Sequence, residues 1–86
     1  MDLPLLQLLW ANPQALQHLL DCPPHLRRAY ERCLDKIREH PRQKPLKGRM
    51  QGLYAIKVTP SYRIVYTYDE SAVVVYGIGN HKQVYR

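Results

Sequence analysis

Two cations, Lys57 and Arg63, flank a Thr59-Pro60-Ser61 turn, and His81, Lys82 and Tyr85 follow near the end of the chain. Side chains alternate along a strand, so Lys57 shares a side with Ala55 and opposes Tyr54, Ile56 and Val58. Arg63 likewise shares a side with Val65 and Thr67 and opposes Tyr62, Ile64, Tyr66 and Tyr68. Once the turn folds these strands together, both cations lie on the face away from the apolar side chains. These residue types suit cleavage of RNA without a metal. A base takes the proton of a 2′-hydroxyl, cations stabilise the charge growing on the phosphorane, and an acid protonates the departing 5′-oxygen. Lys57, Arg63, His81 and Lys82 meet those demands if the tail folds beside the strands, and Tyr85 offers a ring for base stacking, worth about 1–3 kcal/mol per base. The plain alternative stays open at this point, because strand cations commonly form a solvated face.

Composition points the same way without deciding it. The 86 residues suffice for one domain, residues 1–86, with a thin core. Thirteen Lys and Arg against seven Asp and Glu leave a formal charge of +6, which attracts polyanions. Cys22 and Cys33 form no CxxC pair and no disulfide framework, no apolar run approaches a membrane span of about 20 residues, and the start lacks a signal peptide's basic segment. The expectation is a cytoplasmic protein with free thiols and no membrane association. His18, Cys22 and His25 mimic metal-ligand spacing across a helix turn, but structural zinc takes four ligands and the extra candidates, Cys33 and His40, lie along the next helix. No metal and no other cofactor is expected.

The elements that must position these residues are legible in outline. Leu5 to Trp10 reads as a short strand, and Asn12-Pro13 as a cap and first residue of a helix over residues 13–20. Pro23-Pro24 opens a second helix whose Leu26, Tyr30, Cys33, Leu34 and Ile37 make an apolar stripe, ended by Pro41. So short a connection folds the two helices back as a hairpin. Residues 41–52 form a basic loop with Lys44, Lys47 and Arg49 as candidate RNA contacts, joined by Arg86 at the tail. Strands follow over Tyr54–Val58, Tyr62–Tyr68 and Ala72–Ile78, the last with a Val73-Val74-Val75 run suited to a central position and with Gly79 as its expected break. The fold class is α+β: a small antiparallel sheet of about four strands packed against an N-terminal helical hairpin.

Four segments in order then resemble one known family. They are Lys44-Pro45-Leu46-Lys47-Gly48, Gly52-Leu53-Tyr54-Ala55-Ile56-Lys57-Val58, Tyr62-Arg63-Ile64-Val65-Tyr66 and Gly77-Ile78-Gly79-Asn80-His81-Lys82-Gln83-Val84-Tyr85-Arg86. Together they look like the RelE/ParE superfamily of bacterial toxins, closely over residues 44–86 and in layout only before that. The resemblance implies a RelE-like fold and a type II toxin that cleaves mRNA on the ribosome and is held inactive by a cognate antitoxin. It makes Lys57 a base or phosphate clamp, Arg63 the contact to the scissile phosphate and Tyr85 the residue that orients the substrate base. Ala55 stands where RelE-type nucleases often carry a further lysine, and His81 stands in place of the family's arginine acid, with Lys82 beside it. A histidine, with a reference pKa of about 6.5, is the better proton donor. Two rivals remain: a ParE-like gyrase poison without nuclease chemistry, and a degenerate scaffold that binds antitoxin but cuts nothing.

Overall fold

Asn12 and Pro13 decide where the first helix begins in the computed structural model of the chain, which describes residues 6–41, 44–45 and 52–80. Asn12 is extended and its side-chain oxygen accepts the Gln14 amide at 3.0 Å, while Pro13 fills a position whose N–H has no helical partner anyway. Helix α1 spans Pro13–Asp21 and α2 spans Pro24–Glu39. α1 buries Ala15 and Leu19, and α2 buries Leu26, Tyr30, Leu34 and Ile37, the periodic positions of an amphipathic helix. Both helices fall where the pattern placed them.

The strands are β1 (Gln7–Trp10), β2 (Lys44–Pro45), β3 (Tyr54–Lys57), β4 (Tyr62–Tyr68) and β5 (Ala72–Asn80), in the sheet order β1-β5-β4-β3-β2. The expected antiparallel meander is β3-β4-β5, and the α+β class with two helices on a RelE-like sheet holds. Three details differ from the sequence reading. β1 joins β5 in parallel, Gln7 opposite Ala72 through Trp10 opposite Val75, so the sheet is mixed. Inside the basic loop, Lys44 and Pro45 pair with Ala55 and Tyr54, because the outer edge of β3 offers them ladder partners. β5 also continues through Gly79 to Asn80, since pairing with Arg63 and Tyr62 of β4 holds the glycine in line.

A bulge reconciles β5 with its neighbours. Val65 pairs with Gly77 but Tyr66 pairs with Val75, leaving Tyr76 as the extra residue, 45% exposed. That insertion switches the alternation, so Val73, Val75 and Ile78 all enter the core beneath the helices. Val73 and Val75 are fully buried and Val74 is half-buried on the other side, in keeping with a strand flanked by β1 and β4. Tyr30, Ile37, Ile64, Tyr66 and, on the other side of the sheet, Val65 complete the most deeply buried set, each large side chain contributing about 1.5–3 kcal/mol by removal from water.

Polar staples close the ends. The Arg38 Nε–H donates to the Leu6 carbonyl at 2.6 Å and the Leu6 amide donates to the Arg38 carbonyl at 3.4 Å, tying the start of β1 to the end of α2. The Tyr66 hydroxyl donates to the Pro41 carbonyl at 2.7 Å, fixing the exit from α2 to the middle of the sheet. Among the described residues no buried side-chain polar atom lacks a partner.

Candidate functional site

The face of the sheet away from the helices carries Lys57 and Arg63, on the side where the alternation puts them. Ile56 and Ile64, paired with each other, enter the core, so Lys57 and Arg63, the next pair along, lie on the opposite side and directly across from one another. Lys57 is exposed and Arg63 is half-buried. Around them the strands present small residues: Gly79 pairs with Arg63, Gly77 with Val65, and Ala55 with Val65. Val65, on the same side as Arg63, is fully buried, and Gly79 is buried as well.

Arg63 is held in an unusual way. Its Nη1 group donates to the carbonyls of Thr59 at 2.8 Å, Tyr62 at 3.1 Å and Pro60 at 3.3 Å, all within the β3–β4 turn. The guanidinium is planar and carries further N–H groups on Nε and Nη2. These have no hydrogen-bond partner among the described residues. The turn is itself set by Thr59, whose hydroxyl oxygen accepts the amides of Tyr62 at 3.2 Å and Ser61 at 3.3 Å. Sequence reasoning passed over Thr59. The signal available was a threonine heading a Pro-Ser turn immediately before a strand arginine.

The remaining candidates divide clearly. Lys44 lies in β2, its backbone paired with Ala55, which is two residues before Lys57 along β3. Asn80, the last described residue of β5, lies opposite Tyr62 and next to the Arg63–Gly79 pair. His81, Lys82, Tyr85 and Arg86, together with Lys47 and Arg49, lie outside the described residues.

Tyr54, Tyr62, Tyr66 and Tyr68 of the sheet pack with the core. Tyr54 stacks on Tyr66 with centroids 5.9 Å apart and lies 5.0 Å from Tyr68. Tyr62 meets Tyr30 edge-on at 6.2 Å, and the Tyr30 hydroxyl hydrogen-bonds His18 Nε2 at 3.1 Å. Burial pushes the phenols of Tyr30 and Tyr66 well above their ordinary values. Thus His18 is engaged with a core tyrosine, and the Cys22 thiol donates to the Leu19 carbonyl at 3.3 Å. Among the described residues no group of three or more His, Cys, Asp or Glu is placed to hold a metal. Nor is any described helix long and apolar enough to cross a membrane.

The family model for the ParE toxin of the type II toxin–antitoxin system parDE matches residues 11–85, nearly the whole chain. The chain belongs to the RelE/ParE superfamily of type II toxins. Solved structures share the toxin's fold. The YoeB/ParE toxin from Agrobacterium tumefaciens superposes with a TM-score of 0.76 at 19% identity, covering 88% of this chain and 99% of that one. A mutant of the Escherichia coli toxin RelE in the free state gives 0.77 at 27% identity, covering 95% and 92%. The toxin–antitoxin complex RelBE2 from Mycobacterium tuberculosis gives 0.74 at 20% identity, covering 91% and 100%. No curated protein sequence matches the toxin.

Proposed function

We propose that this toxin is a ribosome-dependent mRNA endoribonuclease that arrests translation, cuts without a metal and is neutralised by a cognate antitoxin. The single observation that supports it most is the pair Lys57 and Arg63, facing each other across β3 and β4 on the side of the sheet away from the helices. In this reading Lys57 draws the proton from the 2′-hydroxyl or clamps the phosphate, and the 2′-oxygen attacks phosphorus. The free edge of the Arg63 guanidinium meets the phosphorane oxygens, whose charge is greatest in the transition state. The bond to the 5′-oxygen then breaks, and His81 supplies the proton that oxygen needs, with Lys82 adding positive charge and Tyr85 stacking on the substrate base. Lys44, Lys47, Arg49 and Arg86 hold the RNA backbone. The backbone of Lys44 pairs in register with Ala55, the position where RelE-type nucleases often carry a lysine.

The antitoxin partner rests on the company the fold keeps. YoeB from Staphylococcus aureus is found in complex with YefM, and the M. tuberculosis neighbour in a RelBE2 toxin–antitoxin complex. The proposed seat of action is the cytoplasm, where ribosomes and antitoxin are met.

The match to the ParE family model favours a second reading, a gyrase poison that binds without cutting RNA. Primer extension on mRNA from cells expressing the toxin separates the two. Cleavage within translated codons, lost in Arg63→Ala, is the expected result. Intact mRNA together with blocked replication overturns the nuclease reading, and intact mRNA with no growth arrest leaves only an antitoxin-binding scaffold.

A further inference from the structure

The observation that reaches furthest beyond the paired cations is the way the β3–β4 turn grips one of them. Thr59 acts twice there. Its carbonyl makes the shortest of the three contacts to Arg63 Nη1, at 2.8 Å, and its hydroxyl oxygen accepts two amides that fold the turn, from Tyr62 and Ser61. The other two carbonyls on Nη1 belong to Pro60 and Tyr62, residues whose positions follow from that same turn. Pro60 adds a fixed φ and offers no competing N–H. The backbone thus presents three convergent carbonyl dipoles to one end of a cation, and without the Thr59 hydroxyl the Tyr62 amide keeps only its long bond of 3.3 Å to the Thr59 carbonyl.

A planar guanidinium held at Nη1 has its plane and its opposite edge fixed as well. An exposed arginine at the rim of a sheet samples many rotamers and must be ordered each time it meets a phosphate. Here the ordering is done when the hairpin folds. We propose that Thr59 is a positioning residue: its hydroxyl sets the turn whose carbonyls orient Arg63 for the phosphorane, so that it governs the rate of cleavage without touching RNA. This rests on the nuclease reading above, and it adds a residue outside the segments that suggested that reading.

The test compares Thr59→Val, an isostere lacking the hydroxyl, with Thr59→Ser, which keeps it, in the whole chain at a temperature where both are folded. Two quantities are read: the order of the Arg63 Nε–H group by 15N relaxation in the free toxin, and the single-turnover cleavage rate on mRNA-programmed ribosomes with its substrate affinity. The expected result for Thr59→Val is a disordered Arg63 side chain and a rate reduced about tenfold or more with affinity little changed, because misplacing a charge-stabilising group costs rate before binding. Thr59→Ser is expected to restore both. A merely structural threonine would lower the melting point without this rescue of order and rate together. Unchanged Arg63 order in Thr59→Val overturns the proposal. So does lost order with an undiminished rate while Arg63→Ala is inactive. If Arg63→Ala itself cleaves at the wild-type rate, it is the assignment of Arg63 that falls, and the catalytic role of Thr59 falls with it.

Discussion

Replacing Tyr66 by phenylalanine removes one atom from the middle of the fold and should cost far more than its size suggests. Tyr66 is fully buried, its ring stacks on Tyr54, and its hydroxyl donates to the Pro41 carbonyl at 2.7 Å. Phenylalanine keeps the ring and its stacking, so the change isolates the hydrogen bond. A net bond of this kind is worth about 1 kcal/mol, and stranding a partly buried carbonyl brings the loss to about 1–2 kcal/mol. In a domain of this size each kcal/mol moves the melting midpoint by about 4–8 °C, so a fall of roughly 4–16 °C is expected. The pH dependence gives a second handle. Burial, with the neighbouring Tyr68 and Tyr54, raises the folded-state pKa of Tyr66 above its unfolded value of about 10. Its contribution is therefore fully present below pH ~10 and is lost as pH rises through the folded value. Urea titrations of wild type and Tyr66→Phe at pH 7 and at alkaline pH measure both effects, and the difference between the two proteins should shrink in alkali. Tyr68→Phe is the control, since the Tyr68 hydroxyl has no partner among the described residues and its loss should be nearly silent. A midpoint for Tyr66→Phe indistinguishable from wild type would refute the claim that this hydroxyl holds the end of α2 to the sheet.

Asp69 caps the β4–β5 turn, its carboxylate accepting the Ser71 amide at 2.7 Å, the Ala72 amide at 2.9 Å and the Ser71 hydroxyl at 3.0 Å. Those bonds, the Ser71 amide first, hold its pKa below the usual value, so its stabilisation is present above pH ~4 and lost as pH falls through the folded value. Asp69→Asn should be the less acid-sensitive protein in urea melts between pH 5 and pH 2. Burial raises the Cys33 thiol, which keeps it protonated at neutral pH. Iodoacetamide labelling followed by mass spectrometry should therefore be slower at Cys33 than at an unstructured thiol, and a rate equal to the free thiol would contradict its packing against the core. If His81 is the general acid, the single-turnover cleavage rate falls as pH rises through a histidine's range near 6.5. His81→Ala should lose most of the rate and that limb, whereas His81→Arg should retain activity with a flatter profile.

What the sequence determined by itself were the features that follow from neighbours along the chain. Asn12-Pro13 and Pro23-Pro24 placed two helix starts, because capping and a missing N–H act within one turn. Alternation from Tyr62 to Tyr68, broken only by the apolar Val65, set Arg63 opposite Tyr62, Ile64 and Tyr66, and the same period put Lys57 with it, so half of the proposed site was readable as two strands and a turn. Tertiary structure alone decided everything that needs a partner distant in sequence. The parallel seat of β1 beside β5, the pairing of Lys44 with Ala55, and the bulge that lets Val73, Val75 and Ile78 share one core are matters of register between strands, which no single segment encodes. Burial of Tyr66 and the bond to Pro41 likewise depend on where α2 ends over the sheet. The grip of the turn on Arg63 spans only a few residues, yet it too appeared only in three dimensions. Alternation says which way a side chain leaves its strand, and only the folded hairpin brings three carbonyls to one nitrogen.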